Sequence, residues 1–277
     1  MNPTEIPLAG VIGSPIAHSK SPQIHRHWLT TMGIKGHYIP MHVQTDDLEL
    51  VLRTLPKAGF VGVNVTIPHK EKVLEIADLV TDRAILIGAA NTLIFRKDGK
   101  IHADNTDGYG FIKNLQSAPV NWDPKAGPAA LLGAGGAARA VIAALLDAGV
   151  PEILISNRTR VRAEALQAEF GKRIRVFDWV QAGNMLEFCS TVVNTTSLGM
   201  IGKPPLRVPL DGLQKGAVVT DLVYAPLKTR LLEVADEMGC QTVDGLGMLL
   251  HQAVPGFERW FGVRPEVDTA TRAAALR

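Results

Sequence analysis

The chain has 277 residues, 46% of them hydrophobic and 20% charged, enough for two domains of ordinary size with buried cores. With 29 basic and 27 acidic residues the net charge is only +2, which gives no electrostatic case for nucleic acid or an anionic membrane as a partner. No stretch reaches the roughly 18 apolar residues of a membrane span, the opening residues lack a secretory-signal pattern, and two cysteines cannot form a disulfide framework, so the expected compartment is a reducing cytoplasm.

Strand-like and helix-like segments alternate, which predicts an α/β fold with largely parallel sheets. Pro7–Gly13 reads as the first strand. Ser21 and Pro22 then start a helix, the serine as cap and the proline in the first turn. His37–Val43 alternates as a strand, and Thr45, Asp46 and Asp47 cap a helix running to about Lys57. Phe60–Thr66 is the next strand, with a helix over Lys70–Leu79. Asn91–Arg96 and Lys100–Ala103 flank Lys97-Asp98-Gly99, a hairpin turn signal. Asp107 begins a helix to about Leu115, and the polar segment Gln116–Pro128 reads as a linker.

Ala129–Leu132 is a short apolar strand, followed by Gly133–Ala148, which is Ala-rich, apolar all round and expected to be a buried helix. Glu152–Ser156, Thr191–Asn194 and Ala217–Val223 read as strands, and Val161–Phe170 as a helix. Gly245–Gly262 is helical but carries Pro255, expected to kink or divide it. Cys189 and Cys240 read as small buried hydrophobes.

The sharpest motif is GAGGAAR from Gly133 to Arg139. Gly133, Gly135 and Ala138 occupy the three positions of GxGxxG/A: a tight turn, a close backbone approach to a pyrophosphate, and tight helix–sheet packing. A strand before, a helix after and a second strand at Glu152 make a βαβ unit, so Gly133, Ala134, Gly135, Gly136 and Ala137 are candidate dinucleotide contacts at a helix N-terminus. An NAD site carries Asp or Glu after the second strand; this chain has Asn157-Arg158-Thr159-Arg160-Val161-Arg162. The missing carboxylate and the guanidiniums of Arg158 and Arg162 predict NADP, its 2′-phosphate bound bidentately.

The first 108 residues hold polar strings at strand ends, where open α/β sheets place ligand groups. These are HSKSP from His18, NVTIPHK from Asn64, GAANT from Gly88 and NTDG from Asn105. Together they offer hydroxyls, amides, an ammonium and a carboxylate, an inventory suited to a polyhydroxylated anionic small molecule. His18, His25 and His27 lie close together, but no metal-ligand spacing accompanies them, so they read as structural or solvent-facing and no metal is expected.

With HSKSPQIH, NVTIPHK, GAANT, NTDG, GAGGAARA, NRT, VNTTSLGM from Val193, DLVY from Asp221 and GLGMLLHQA from Gly245, the chain resembles the shikimate dehydrogenase family from about Gly10 to Gly262. The resemblance implies NADP-dependent, reversible reduction of 3-dehydroshikimate to shikimate in aromatic amino-acid biosynthesis, with quinate or dual quinate/shikimate use as the alternative and a non-catalytic NADP-binding regulator as a remote one. It implies a substrate domain with a mixed, mainly parallel sheet over residues 1–106, completed by helices over 246–277. A Rossmann-like NADP domain over 107–245 and a cleft between the two complete the expected fold. It further implies Lys70 and Asp107 as an acid–base pair; in one division Lys70 moves the proton and Asp107 orients the ammonium, and in the other Asp107 mainly binds a substrate hydroxyl. Substrate contacts fall on Ser19, Ser21, Asn64, Thr66, Asn91, Tyr224 and Gln252. Cofactor contacts fall on the glycine turn, on Asn157, Arg158, Thr159 and Arg162, and near the nicotinamide on Leu222, Gly245 and Met248. The expected assembly is a monomer or homodimer. Arg26 stands where the family often has Asn, and Ser21 where quinate-using relatives often have Thr, which favours shikimate.

Overall fold

The computed structural model describes residues 6–277. It divides into two compact units: the chain up to Thr106 together with Leu250–Arg277, and Asp107–Leu249.

The first unit is built on β1 (Leu8–Gly13), α1 (Ser21–Thr31), β2 (His37–His42), α2 (Leu48–Thr54), β3 (Phe60–Val65), α3 (Val73–Ile76), β4 (Leu79–Val80), α4 (Asp82–Ile87), β5 (Thr92–Phe95) and β6 (Ile101–Asp104). Its six strands lie in the order β2-β1-β3-β5-β6-β4. The β1–β2, β1–β3 and β4–β6 pairs are parallel, while β3–β5 and the β5–β6 hairpin are antiparallel, so the sheet is mixed. Ile12, Val63, Val65, Leu93 and Ala103 from its strands pack with Leu48 and Leu52 of α2 and Val73 of α3 into one core.

The second unit contains α5 (Asp107–Ser117), β7 (Ala129–Leu132), α6 (Gly136–Ala148), β8 (Ile153–Ser156), α7 (Arg160–Phe170), β9 (Ile174–Phe177), α8 (Ala182–Met185), β10 (Thr191–Asn194), β11 (Val218–Asp221), α9 (Arg230–Glu237) and β12 (Gln241–Val243). Its strands run parallel in the order β12-β11-β10-β7-β8-β9. Chain direction reverses across the sheet between β7 and β10, the doubly wound Rossmann order, and ligands collect outside the carboxyl ends of the strands at such a switch. Strands buried on both faces explain the short continuous apolar runs AALL and ILIS, each wholly buried. The remaining helices are α10 (Leu246–Phe261), within which the division between units falls, and α11 (Thr269–Leu276).

Several expectations are corrected. Ser21 does not cap α1: Lys20 holds that position without a side-chain cap, and Ser21 is the first helical residue. The Ser19 hydroxyl takes over part of the task, accepting from the Ser21 backbone N–H at 3.3 Å. The helix expected over Lys70–Leu79 shrinks to Val73–Ile76, because Asp78 accepts from the Ile101 backbone N–H and pairs with Arg53, drawing Leu79–Val80 into the sheet beside β6. The helix expected from Thr45 is α2 flanked by 3₁₀ turns, the second starting at Leu55-Pro56. Helix α6 is buried along one stripe rather than all round. Pro255 does not divide α10, since the hydrogen bond lost there is outweighed by the burial of Leu250, Ala253, Val254, Phe257 and Trp260 along the helix. Cys240 is half-buried rather than buried. Elements α4, β9, α8, α9 and β12 were not expected from the sequence.

Candidate active site

In the first unit a polar network lies at the ends of β3, β5 and β6, beside α1 and α10. Asn64, the fifth residue of β3, is 5% exposed. Its side-chain nitrogen donates to the Asn91 carbonyl at 3.0 Å and to Thr92 Oγ1 at 3.2 Å, so both N–H bonds are used inside the protein. Its Oδ1 accepts from the Tyr38 hydroxyl at 2.7 Å, which leaves one lone pair for another donor. Asn91 Nδ2 donates to Thr106 Oγ1 at 3.0 Å and to Gln252 Oε1 at 3.1 Å, while its Oδ1 accepts from the Thr106 N–H at 2.9 Å. Thr106 Oγ1 lies 2.8 Å from the Gln252 carbonyl. Residues 161 positions apart in sequence thus share one hydrogen-bonded cluster.

Lys70 joins this cluster through its backbone. Its carbonyl accepts from the Ala90 N–H at 2.8 Å, one residue before Asn91. The turn carrying Lys70 is pinned from below by His69, fully buried, whose Nε2 lies 2.8 Å from the Val43 carbonyl. Asp107 follows Thr106 directly and opens α5. Thr66 is half-buried and packs against Gly13, where a Cβ would come within 2.6 Å of Thr66 Cγ2.

Tyr38, Thr92 and Thr106 belong to this network although the sequence did not mark them as site residues. Tyr38 is 3% exposed; burial pushes its phenol well above the ordinary pKa, an effect opposed by a hydrogen bond from Ser21. Its hydroxyl is committed to Asn64. The ring of His25 stacks on it at 3.9 Å with an interplanar angle of 4°. Tyr38 lies in a strand of mostly exposed residues, and nothing in its local pattern distinguishes it.

In the second unit Gly133 has φ +112°, and a Cβ there would meet Thr196 Cγ2 at 2.7 Å and Thr195 Oγ1 at 2.8 Å. Only glycine fits this turn. Gly135 and Gly136 differ: a Cβ on either would meet no atom within 4 Å. The N-terminus of α6, at the carboxyl end of β7, carries no side-chain cap. Ala138, fully buried, lets α6 pack on the sheet beside Leu131 and Val193. Asn157 Oδ1 accepts from the Ala134 N–H at 3.2 Å, and its nitrogen donates to the Thr159 carbonyl at 2.8 Å, joining the glycine turn to the β8–α7 turn. Arg158 and Arg162 are exposed and form no ion pair among the described residues, whereas Arg160 pairs with Glu164 and Asp178. A backbone cradle, an uncapped helix end and two uncommitted guanidiniums fit a phosphorylated dinucleotide.

Around the end of β11 the fully buried Asp221 accepts from Asn194 Nδ2 at 2.9 Å, the Val223 N–H at 2.9 Å and Thr229 Oγ1 at 2.7 Å. Burial raises its pKa above the ordinary carboxylate value, against these three hydrogen bonds. Gly245 approaches this strand end so closely that a Cβ would lie 2.5 Å from the Leu222 carbonyl oxygen, so Leu222 and Gly245 are neighbours. Asn114 of α5 donates to the Asp244 carbonyl at 2.7 Å and holds the same loop. Met248, partly buried, packs on the core of this unit. Tyr224 is half-buried here, its phenol pushed up by burial. The proposed substrate contacts are therefore divided: Ser19, Ser21, Asn64, Thr66, Asn91 and Gln252 belong to the first unit and Tyr224 to the second.

Comparison with known proteins agrees with this geometry. Residues 11–93 match the shikimate dehydrogenase substrate binding domain, 121–200 the shikimate / quinate 5-dehydrogenase family, and 245–275 the shikimate 5'-dehydrogenase C-terminal domain. The chain is 69% identical over 276 residues, a coverage of 100% of each chain, to the shikimate dehydrogenase (NADP(+)) of Roseobacter denitrificans. It is 71% identical over 271 residues to that of Cereibacter sphaeroides strain ATCC 17025, covering 98% of this chain and 97% of the relative. The crystal structure of the Thermus thermophilus shikimate 5-dehydrogenase in complex with NADP(H) and shikimate superposes with a TM-score of 0.86 at 36% identity, covering 98% of each chain. From its motifs, its fold and these full-length matches, the chain belongs to the shikimate dehydrogenase family.

Proposed function

We propose that the protein is an NADP-dependent shikimate dehydrogenase that interconverts 3-dehydroshikimate and shikimate. The observation that carries this reading is the buried hydroxyl–amide network of Asn64, Asn91, Thr92, Thr106 and Gln252 beside the Lys70 turn, in a chain that also has an NADP-type glycine turn. The first unit is the substrate-binding domain and the second the cofactor-binding domain.

NADP supplies or accepts the hydride; Gly133–Ala137, Asn157, Arg158, Thr159 and Arg162 would hold it, with Leu222, Gly245 and Met248 at the nicotinamide end. The chain's residues do the rest. Ser19 and Ser21 bind the substrate carboxylate. Asn64, its N–H bonds already used, offers only Oδ1, so it accepts from a substrate hydroxyl rather than donating to it. Asn91, Gln252, Thr66 and Tyr224 fix the remaining hydroxyl and ring positions. Lys70 carries the proton to or from the reacting oxygen, and Asp107 orients the ammonium. A reducing cytoplasm suits the two free cysteines, and burial pushes the Cys189 thiol up to about 12, which keeps it inert.

The deciding assay follows absorbance at 340 nm with NADP and shikimate, run beside quinate and beside NAD. Turnover is expected with shikimate and NADP; a preference for quinate, or for NAD, would overturn the assignment. Lys70→Ala is expected to lower kcat by roughly 10²–10⁴-fold, the range for a lost general acid–base. A raised KM with kcat intact would make Lys70 a binding residue instead.

A further inference from the structure

Among the three arginines after β8, Arg160 stands apart. It is the first residue of α7, where a positive charge opposes the helix dipole. Its guanidinium is nonetheless fixed at two points: Nε donates to Glu164 Oε1 at 2.7 Å, one turn along the helix, and Nη1 donates to Asp178 Oδ1 at 2.7 Å. Asp178 directly follows β9, and Phe177 of β9 pairs in register with Ser156 of β8. Asp178 and Asn157 therefore hold corresponding positions at the carboxyl ends of neighbouring parallel strands. A carboxylate at the end of the second strand is what selects NAD in this fold, by accepting from the ribose 2′-hydroxyl. Here a carboxylate stands one strand further on, and Arg160 covers it.

We infer that Arg160 sets cofactor selectivity as a positioning residue: it neutralises Asp178 and Glu164, so that the charge of Arg158 and Arg162 acts on a 2′-phosphate undiminished. The inference rests on the reading that Arg158 and Arg162 take that phosphate. The local balance makes it quantitative. Three guanidiniums face two carboxylates, leaving a net charge of one positive; without Arg160 nothing remains. As an exposed ion pair, Arg160–Asp178 contributes little to folding, so its removal should be felt at the ligand rather than in stability.

The test measures binding directly, by calorimetry with 2′,5′-ADP and 5′-ADP, for the intact protein and for Arg160→Ala, Arg160→Ala/Asp178→Asn and Arg158→Ala, each checked by its melting temperature. Arg160→Ala should weaken 2′,5′-ADP by about tenfold, the scale of one uncancelled charge at a partly solvated site, and 5′-ADP by less than about twofold. Adding Asp178→Asn should restore most of the loss, because the uncovered carboxylate is then gone. Equal weakening of both ligands, no change in either, or no recovery in the double variant would overturn the inference. Arg158→Ala separates the two levels. If it weakens 2′,5′-ADP while Arg160→Ala does not, only the role of Arg160 fails; if it too leaves 2′,5′-ADP untouched, the assignment of the phosphate site fails.

Discussion

His25 is fully buried, neither ring nitrogen has a hydrogen-bond partner among the described residues, and burial lowers its pKa from 6.5 to about 3. The folded protein therefore holds the neutral ring, while the unfolded chain takes up a proton below about pH 6.5. Stability from this residue is complete above pH 6.5 and is lost as the pH falls towards 3, by about 1.4 kcal/mol per pH unit. His25→Phe, which keeps a ring against Tyr38, should flatten the dependence of the urea midpoint on pH between 6 and 4; an unchanged slope would contradict the burial argument. Tyr38 makes a second residue-level case. Tyr38→Phe removes the donor to Asn64 Oδ1 and leaves a buried acceptor unpaired, at a cost of about 1–3 kcal/mol. Because Asn64 leans on that hydroxyl, the KM for shikimate should rise several-fold with the KM for NADP unchanged; equal increases in both would argue for general loosening.

Among the elements, the glycine turn between β7 and α6 allows the folding and binding roles of two neighbouring glycines to be separated. Gly133 combines φ +112° with a space closed by Thr195 and Thr196, so Gly133→Ala should lower the melting temperature as well as cofactor affinity. Gly135 has φ −98° and open space around its missing Cβ, so Gly135→Ala should leave the melting temperature in place. Its methyl would stand where a pyrophosphate approaches, so NADP affinity should fall by tenfold or more, as read by calorimetry. A destabilised Gly135→Ala protein, or one that binds NADP normally, would contradict this division. The same turn shows how much was legible in sequence. GAGGAAR announces itself because backbone geometry dictates residue type locally. Tyr38 does not, because its importance comes from a partner 26 positions away, Asn64, and nothing in the pattern around Tyr38 itself marks it.

For the whole molecule, the chain order and the contact order disagree. Leu250–Arg277 lies at the end of the sequence yet belongs to the first unit. Trp260 donates to the Leu93 carbonyl at 3.1 Å, and Gly62 leaves room for its indole, since a Cβ there would come within 2.1 Å of the Trp260 ring nitrogen. Trp28 of α1 donates to Thr271 of α11 at 3.1 Å. A chain ending at Leu249 should therefore lose the fold of its first unit while keeping that of Asp107–Leu249. Limited proteolysis checks this: a resistant fragment starting near Asp107 is expected, and equal resistance of residues 6–106 would show that the C-terminal helices are dispensable.

Sequence alone determined the alternation of strands and helices, the glycine turn, the basic residues after β8 and the polar strings at strand ends, because each is dictated by backbone geometry or ligand chemistry over a few residues. Tertiary structure alone decided that Asp78 pulls a short strand out of an expected helix. It also decided that Pro255 is tolerated inside α10, that Tyr38 is bonded to Asn64, and that Arg160 is committed to Asp178 while Arg158 and Arg162 are not. Each of these depends on a partner brought near by folding, and a partner's position is a property of the packed chain rather than of its neighbours in sequence.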